Sequence, residues 1–395
     1  MGGGPSGAAA ATHLAAAGVE VVVFERLRAP RWRASGVYSS PSTRARLAGL
    51  GLSEAALVRL IRPIDAMEVI GPGGTRCLLA YDAPDHACGI DRVRLERALL
   101  DRAAAAGACV REGAVVRTLA PREGRAPGST LDVSTDDGPQ RWNARMVVGA
   151  DGPRSLVASA YGLGGHVRLS RRAGVTVHRA DPDAASPGMP MTARMVIGDG
   201  WYCGICPVPE ERVNVGIVMS EADLRARLRG GDGLAAVARS FTDHLHGPRA
   251  AWHDSTDTDA VTVALPLAHR VIRRSGRGFL LVGDASGFID PLTGDGLLRA
   301  FISAELAAHA IVAARAGRSD AMDHYERRMH ARFAPRDIVS WLLQAFLARP
   351  GLLEYALRRL ATRTQLRATF ARALAELEPA GRILEPRFLV RLLAP

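Results

Sequence analysis

Three glycines near the N-terminus carry the first chemical signal of the chain. They stand as Gly2-x-Gly4-x-x-Gly7, ahead of an alanine-rich helical stretch (residues 8–17) and an apolar strand (residues 19–24). In such a loop the first glycine permits a tight turn, the second lets the backbone approach a pyrophosphate, and the third lets the helix pack on the strand. Because a helix N-terminus also favours anions, the spacing predicts a dinucleotide phosphate site.

An acidic residue stands at the distance that such a loop requires. Seventeen residues separate Gly7 from Glu25, which ends the predicted strand and can hold ribose hydroxyls. Arg26, the next residue, is a further candidate for cofactor binding. Glycine is abundant, with 41 of 395 residues, so the triplet alone is weak and the strand and acid make it specific.

The strand that normally precedes this loop is missing, because Met1 directly abuts Gly2. A central parallel strand is usually buried on both faces, so the fold needs one at this place. We expect either that the natural start lies several residues upstream, with a short apolar run, or that the chain is trimmed here.

A second segment places an acid and a glycine directly after a buried strand (residues 144–150). Asp151 and Gly152 are its candidate cofactor residues. Taken alone, this pair is better explained by an ordinary turn. Its interest comes from its position between the first glycine loop and a third segment.

The third segment follows another buried strand (residues 279–283) and opens a long helix (residues 294–315). The strand delivers Asp284 to a sugar-like polyol, and the glycine-opened helix N-terminus points at a site that can carry negative charge. This terminus therefore suits a cofactor group that carries negative charge. The candidate residues here are Gly283, Asp284, Pro291, Gly294, Asp295 and Gly296.

The elements around these segments indicate an α/β protein. An amphipathic helix is predicted over residues 92–107, with Leu95, Leu99 and Leu100 on one face. Short strands separated by turns follow from about residue 165 to residue 265, which favours a mainly antiparallel sheet. Residues 320–395 are predicted to be helical, with a break at the Pro-Gly pair of positions 350 and 351.

Composition narrows the class of protein. The net charge is +11, from 51 basic and 40 acidic residues, and every basic residue is arginine. The absence of lysine is best explained by codon bias. An arginine-rich surface also favours anionic partners such as phosphates or lipid headgroups. No zinc spacing, helix-turn-helix or aromatic-basic pattern occurs, so we expect no nucleic-acid partner.

Cysteine and histidine give no sign of a metal site. The five cysteines are an odd, scattered set, which fits a reducing compartment rather than a disulfide framework. Cys203 and Cys206 face opposite sides of a strand and are expected to be buried thiols. His178 and His269 are expected to be packing residues. With no secretory signal and no apolar run of membrane-spanning length, we expect a cytoplasmic protein, peripheral to a membrane at most.

The three segments, in this order, resemble the FAD-binding pattern of the aromatic-hydroxylase superfold. Residues 283–308 resemble the geranylgeranyl reductase family within it, and Tyr202-x-Gly204-x-Cys206-Pro207 resembles that family's substrate motif Tyr-x-Trp-x-Phe-Pro. The resemblance covers about residues 2–320. It implies bound FAD, with an arginine near it at Arg92, although a solvated helix cap explains Arg92 equally well.

The resemblance implies a Rossmann-like FAD-binding domain, an inserted antiparallel β-sheet substrate domain and a helical C-terminal region. The expected boundaries are residues 1–164 with 266–320, residues 165–265, and residues 321–395. Departures from the family concern the substrate side: Gly204 and Cys206 replace two large rings, which predicts a wider pocket. Residues 35–37 read Ser-Gly-Val where the family often has Cys-Gly-Gly, and Ala158 stands where the superfold often has arginine.

The resemblance implies an FAD-dependent oxidoreductase that reduces carbon–carbon double bonds of an isoprenoid or similar apolar substrate. A flavin monooxygenase and a non-catalytic flavin-binding protein remain alternatives, while a halogenase would need a lysine that this chain lacks. Because only one dinucleotide fingerprint occurs, NAD(P)H visits the flavin transiently or a separate electron-donor protein reduces it.

The helical region holds a mixture of apolar, aromatic and arginine side chains between Trp341 and Leu360. This composition is typical of an interfacial helix pair that lies on a membrane surface. A helical cap packed on the FAD domain is the simpler interpretation.

Overall fold

The computed structural model describes residues 1–81, 84–122, 128–165, 171–180, 191–231, 233–246, 261–265 and 267–394, with the backbone alone over 242–246. Helices dominate the last third of the chain. They are α1 (Pro5–Ala16), α2 (Ser42–Gly49), α3 (Glu54–Leu60), α4 (Arg92–Ala105), α5 (Leu156–Ala160), α6 (Glu221–Arg229), α7 (Leu234–His246), α8 (Gly296–Arg315), α9 (Ala321–Leu347), α10 (Pro350–Thr362), α11 (Thr364–Leu374) and α12 (Pro386–Leu393).

Strands form six sheets in the described part of the chain. The strands are β1 (Val22–Glu25), β2 (Tyr38–Ser39), β3 (Ile61–Ile64), β4 (Ala66–Ile70), β5 (Arg76–Ala80), β6 (Ala87–Ile90), β7 (Cys109–Glu112), β8 (Val115–Pro121), β9 (Ser129–Thr135), β10 (Gly138–Ala144), β11 (Val147–Gly149), β12 (Gly164–Gly165), β13 (Arg172–Ala180), β14 (Thr192–Ile197), β15 (Tyr202–Val208), β16 (Arg212–Ser220), β17 (Thr262–Ala264), β18 (Arg270–Val271), β19 (Ser275–Gly276) and β20 (Phe279–Leu281).

Parallel strand pairs position the glycine loop. β1 pairs with β7 and β11 pairs with β20, each in parallel. The first two residues join the pairs: the Gly2 amide donates to the Phe24 carbonyl at 2.9 Å, and the Ala150 amide donates to the Met1 carbonyl at 2.8 Å. The carboxyl ends of β1 and β11 therefore meet at the start of α1, which is where ligands bind in open α/β sheets.

The predicted amphipathic helix is confirmed as α4. Asp91 caps its N-terminus by accepting hydrogen bonds from the Val93 and Arg94 amides, both at 3.1 Å. Its buried face packs with α1 and α8 in one apolar cluster, in which Leu95, Leu99 and Leu100 are at most 1% exposed. The helix ends two residues earlier than predicted, shortly before Gly107 takes a left-handed φ of +103°.

The seven-stranded sheet has the strand order β17-β13-β16-β15-β14-β4-β5, antiparallel except where β14 pairs in parallel with β4. This sheet differs from the boundaries expected from sequence, which assign β4 and β5 to the FAD-binding part. β5 alternates exposed and buried residues along its length, because one of its faces packs on the C-terminal helices. That alternation is short, and the sequence interpretation did not separate it from the surrounding loops.

The C-terminal region is helical, as predicted, and the Pro-Gly pair breaks it: α9 ends at Leu347 and α10 begins at Pro350. α10 and α11 pack on β5 of the seven-stranded sheet, whereas α9 packs chiefly on α8. Leu353, Leu357 and Leu360 of α10 share an apolar cluster with Leu79 of β5. The helices therefore cover the sheet as well as the FAD-binding part.

α8 is the one helix in the described ranges that is long and apolar enough to cross a membrane by length and composition. The sequence predicted no membrane-spanning segment, because that prediction looked for a long unbroken apolar run. α8 contains polar residues and so has no such run. Since 61% of its apolar window is buried inside the protein, with Leu297 and Phe301 in the core against α1, α8 has the surroundings of a core helix.

Candidate active site

The glycine loop has the geometry predicted from its spacing. Gly2 has a left-handed φ of +90°, and a Cβ on it would lie 2.3 Å from the Ala150 carbonyl oxygen. A Cβ on Gly7 would lie 1.9 Å from the Gly2 carbonyl oxygen, so only glycine allows α1 to start here. Nothing lies within 4 Å of the Cβ position of Gly4, which caps the N-terminus of α1. The loop therefore leaves an open space beside free helix N–H groups.

Glu25 fixes the glycine loop through hydrogen bonds to two backbone amides. One carboxylate oxygen accepts the Gly3 amide at 2.6 Å, and the other accepts the Leu27 amide at 2.9 Å. The residue is 7% exposed. Each oxygen keeps lone-pair capacity, so Glu25 can still accept hydrogen bonds from ribose hydroxyls. Arg26 is exposed.

Arg92 lies inside the site and is not a solvated helix cap. Its side chain is 13% exposed, and one guanidinium nitrogen donates to the Gly36 carbonyl at 2.8 Å. Burial lowers the pKa of Arg92, and the carboxylates of Glu96 and Asp284 oppose that shift. Burial likewise raises the pKa of Asp284, against the attraction of Arg92 and Arg299. α4 and the third segment thus bring a cation and an acid together.

Asp151 turns one carboxylate oxygen to the start of α5, where it accepts the Leu156 amide at 2.7 Å. Its other oxygen is buried and has no hydrogen-bond partner in the described chain. His269, which directly precedes β18, lies near Asp151. Burial lowers the pKa of His269, while the backbone of Ala285 and the Asp151 charge raise it. Sequence reasoning set His269 aside as a packing residue, because no motif surrounds it.

The third segment forms another side of the candidate cofactor site. Gly283 has a φ of +57°, and a Cβ there would lie 2.5 Å from the Ser6 hydroxyl of α1. The Asp290 carboxylate caps a 3-10 turn that begins at Pro291, by accepting the Leu292 amide at 3.0 Å. Gly296 starts α8 with no atom within 4 Å of its Cβ position. The N-terminus of α8 is therefore open, like that of α1.

Two residues of the predicted site make other contacts. The Asp295 carboxylate accepts hydrogen bonds from Arg336 of α9, whose side chain is 4% exposed. The Tyr202 hydroxyl donates to Asp290, and the Arg172 guanidinium lies 5.2 Å from the centre of the tyrosine ring. These contacts tie the sheet and α9 to the third segment. Sequence reasoning missed them because the partners are remote in the chain.

Gly204 and Cys206 of the predicted substrate motif are two residues apart on β15 and therefore face the same side of the sheet. A Cβ on Gly204 would meet the Met195 methyl group at 3.5 Å, an ordinary contact. Cys206 is buried near Gly89, whose Cβ position lies 1.9 Å from the Pro207 carbonyl oxygen. Cys203 and Cys206 belong to different apolar clusters on opposite faces of the sheet, and burial raises the pKa of both thiols.

No group of three or more metal-ligating side chains lies together among the residues that the structure describes. His178, a second histidine set aside from sequence, is 6% exposed and packs edge-on against Trp32 at 4.1 Å. Its place in the core fits the packing role expected from sequence.

The residues present fit FAD. The space at Gly4 and the open N-termini of α1 and α8 provide places for a pyrophosphate and for a charged ring system. Buried polar atoms of Arg92, Asp151 and His269 have no hydrogen-bond partner in the described chain; Arg92 lies near Asp284, and His269 lies near Asp151. Unpartnered polar atoms of this kind are costly unless a ligand or water satisfies them.

Comparisons with known proteins support FAD binding. A family model described as FAD binding domain matches residues 1–336. A digeranylgeranylglycerophospholipid reductase of Methanopyrus kandleri is 30% identical over 336 residues, which cover 80% of this chain and 80% of the relative.

Solved structures share the fold. A geranylgeranyl bacteriochlorophyll reductase-like protein of Thermoplasma acidophilum matches with a TM-score of 0.78 at 20% identity, over 97% of this chain and 96% of its own. A flavin-dependent brominase matches with a TM-score of 0.78 at 16% identity, over 95% and 92%. The fold is thus common to several flavin chemistries. From the family model and the Methanopyrus relative, the chain belongs to the FAD binding domain family and is an FAD-dependent oxidoreductase of the geranylgeranyl reductase type.

Proposed function

We propose that this enzyme reduces carbon–carbon double bonds in an isoprenoid or similar apolar substrate. The observation that carries the proposal is the 30% identity to a digeranylgeranylglycerophospholipid reductase across 80% of both chains. The site supports it, since the glycine loop, Glu25 and the open helix N-termini are the parts that an FAD reductase needs.

The residues divide between the two ends of the cofactor. Gly2, Gly4 and Gly7 shape the pyrophosphate site at α1, and Glu25 accepts hydrogen bonds from the ribose. Arg92, Asp284 and the second-segment residues Asp151 and Gly152 would hold the rest of FAD, since Arg92 and Asp284 lie close together. Bound and reduced, FAD supplies a hydride to the substrate.

The N-terminus of α8 stabilises negative charge on the reduced ring. A helix dipole aimed at an anion contributes about 0.3–2 kcal/mol. Gly294 and Gly296 carry no side chains at this end of α8: the Tyr38 ring packs on Gly294, and the Cβ position of Gly296 is open. Asp295 does not cancel the dipole, because its carboxylate is neutralised by Arg336.

The substrate side is formed by the motif Tyr202, Gly204, Cys206 and Pro207 on β15. We propose that these small residues accommodate a bulky apolar group beside Met195, whose methyl group lies 3.5 Å from the Cβ position of Gly204. The electron donor is NAD(P)H, which reaches the flavin transiently, or a separate electron-donor protein.

Anaerobic turnover tests the proposed reaction. We expect the reduced, purified enzyme to convert a prenyl substrate to a product heavier by two hydrogen atoms, measured by mass spectrometry, with reoxidation of the flavin. A product heavier by one oxygen atom, formed only in air, would instead assign a monooxygenase. Flavin that stays bound with no substrate-coupled turnover across a prenyl panel would assign a non-catalytic flavin-binding protein.

We also propose that the enzyme works in the cytoplasm at a membrane surface, where long apolar substrates are found. α10 and α12 lie side by side, since the Tyr355 hydroxyl donates to the Leu393 carbonyl at 3.2 Å. On these helices Leu352, Val390 and Leu393 are 37%, 64% and 45% exposed. Exposed arginines flank them at Arg349, Arg358, Arg387 and Arg391. Exposed apolar side chains flanked by arginines are suited to binding a surface of anionic lipid.

Vesicle sedimentation tests the membrane contact. We expect the protein to pellet with vesicles that contain anionic lipid at low salt and to be released at high salt, because each arginine near the surface contributes about 1 kcal/mol. Val390→Asp should reduce pelleting, whereas Ile272→Asp, at a site that is 71% exposed elsewhere, should not. Protein that stays in the supernatant at low salt would favour a soluble or carrier-bound substrate.

A further inference from the structure

The tip of the β15–β16 hairpin has an unusual backbone. Glu210 and Glu211 lie between the two strands and take left-handed φ angles of +66° and +51°. Residues other than glycine, asparagine and aspartate rarely adopt this conformation, because the Cβ atom crowds the backbone. A tip that only reverses the chain favours glycine or asparagine at such positions. The two glutamates therefore indicate that a side chain at this tip makes a contact outside the hairpin.

Glu210 makes that contact, in a closed ring of ion pairs with the start of α4. Its carboxylate accepts a hydrogen bond from Arg94 and lies 3.4 Å from the Arg212 guanidinium. Arg212 in turn donates to the Asp91 carboxylate at 3.0 Å, and Asp91 lies 3.7 Å from Arg94. Positive and negative groups alternate around the ring, so each charge has two neighbours of opposite sign. Glu211 is exposed and is not a member of the ring.

The ring is stronger than a single surface ion pair. Isolated exposed pairs contribute little, but a network of several charges can hold a defined geometry. The Asp91 side chain is 6% exposed, and its other carboxylate oxygen caps α4 by accepting the Val93 and Arg94 amides. The hairpin tip is therefore attached to a rigid point, the N-terminus of α4.

A second contact joins the same two parts of the chain. β6 leads directly into α4 and passes close to β15, since a Cβ on Gly89 would lie 1.9 Å from the Pro207 carbonyl oxygen. Only glycine permits this approach. Arg92, a proposed FAD residue, follows three positions later and donates to the Gly36 carbonyl at 2.8 Å. The ring and the Gly89 contact thus connect the proposed substrate strand to the turn of α4 that carries Arg92.

We propose that Glu210 and Arg212 are positioning residues, which hold the substrate strand β15 at a fixed distance from bound FAD. The inference rests on the proposed function, in which β15 contacts the substrate and Arg92 contacts FAD. At its other end β15 is held by the hydrogen bond from Tyr202 to Asp290 of the third segment. The strand is therefore attached to a cofactor segment at each end.

This attachment matters because hydride transfer is sensitive to distance. The reacting atoms must approach to about 3–3.5 Å, and a displacement of about 1 Å can lower a rate by about a hundredfold. Substrate binding is less sensitive, since an apolar chain makes many weak contacts that tolerate a small shift. Loss of the ring should consequently lower kcat more than it raises KM.

Hydrogen exchange of the holoenzyme tests the coupling apart from turnover. Glu210→Gln removes one charge from the ring and keeps the size of the side chain. We expect amide exchange to become about two- to fivefold faster both at the hairpin tip (residues 208–214) and at the start of α4 (residues 92–100), because each holds the other. FAD release, followed by flavin fluorescence, should also become about two- to fivefold faster, since Arg92 lies in that turn of α4.

Turnover of a prenyl substrate gives a second readout. Glu210→Gln and Arg94→Gln should each lower kcat about three- to tenfold while KM changes less than about twofold. The double variant should lose no more than either single variant, because both substitutions remove the same interaction. Glu211→Gln is the matched control. It has the same backbone conformation outside the ring, so its exchange, FAD release and turnover should equal those of the wild type.

Three results would overturn the inference. They are unchanged exchange at the start of α4 in Glu210→Gln, equal changes in Glu210→Gln and Glu211→Gln, and losses of kcat that add in the double variant. Wild-type enzyme that binds FAD but reduces no prenyl substrate would instead refute the proposed function. Hydrogen exchange and FAD release would then still decide whether the ring joins the hairpin to the cofactor site.

Discussion

Gly7→Ala is expected to abolish FAD binding and to lower the free energy of unfolding of the apoprotein. The added Cβ would lie 1.9 Å from the Gly2 carbonyl oxygen, a backbone atom that cannot rotate away. Overpacking of this kind typically costs about 1–3 kcal/mol, and more where backbone must move. FAD occupancy from the absorbance of the purified protein and denaturant unfolding of the apoprotein measure the two effects.

Gly4 provides the control for that substitution. Its Cβ position is open, so Gly4→Ala and Gly4→Val should leave the stability of the apoprotein nearly unchanged. Gly4→Val should still lose FAD, because its side chain enters the space assigned to the pyrophosphate. Full FAD occupancy in Gly4→Val would contradict the assigned phosphate site, and an apoprotein of wild-type stability in Gly7→Ala would contradict the loop geometry.

The parts of the site that sequence predicted are local. Gly2 and Gly7 do what their spacing required, because a tight turn and a close helix–strand approach are decided within a few residues. The helices α4, α8 and α10 were also predicted, since their apolar periodicity or terminal residues are local. The three segments converge because each follows the carboxyl end of a strand or opens a helix.

The parts that sequence did not predict are contacts between remote residues. Tyr202 of β15 bonds to Asp290 of the third segment, and Tyr38 of β2 bonds to Tyr81, which follows β5. Such pairs leave no periodic pattern, so spacing alone cannot find them. The joining of β4 to β14 is of the same kind, because parallel strands can pair across any length of intervening chain. The substrate side of the site is built mostly from these contacts, which explains why the cofactor was easier to infer than the substrate.

Arg336→Leu is expected to lower the free energy of unfolding by about 3–5 kcal/mol, because it leaves a carboxylate without its buried partner. The Arg336 and Asp295 side chains are 4% and 15% exposed, and Arg336 also donates to the Leu374 carbonyl at 3.3 Å. One guanidinium therefore joins α9, the end of α11 and the start of α8. Denaturant unfolding followed by circular dichroism measures the loss.

Two further variants separate this buried pair from a general loss of charge. Arg336→Leu combined with Asp295→Leu should recover much of the stability, because no charge is then left buried without a partner. Arg28→Leu should cost less than about 1 kcal/mol, since the Arg28–Asp136 pair is 74% and 57% exposed. If Arg336→Leu costs no more than Arg28→Leu, the pair does not hold α9 to α8. The proposal that Arg336 neutralises Asp295 at the N-terminus of α8 would then be wrong. The proposal that the α8 dipole stabilises the reduced flavin would fail with it.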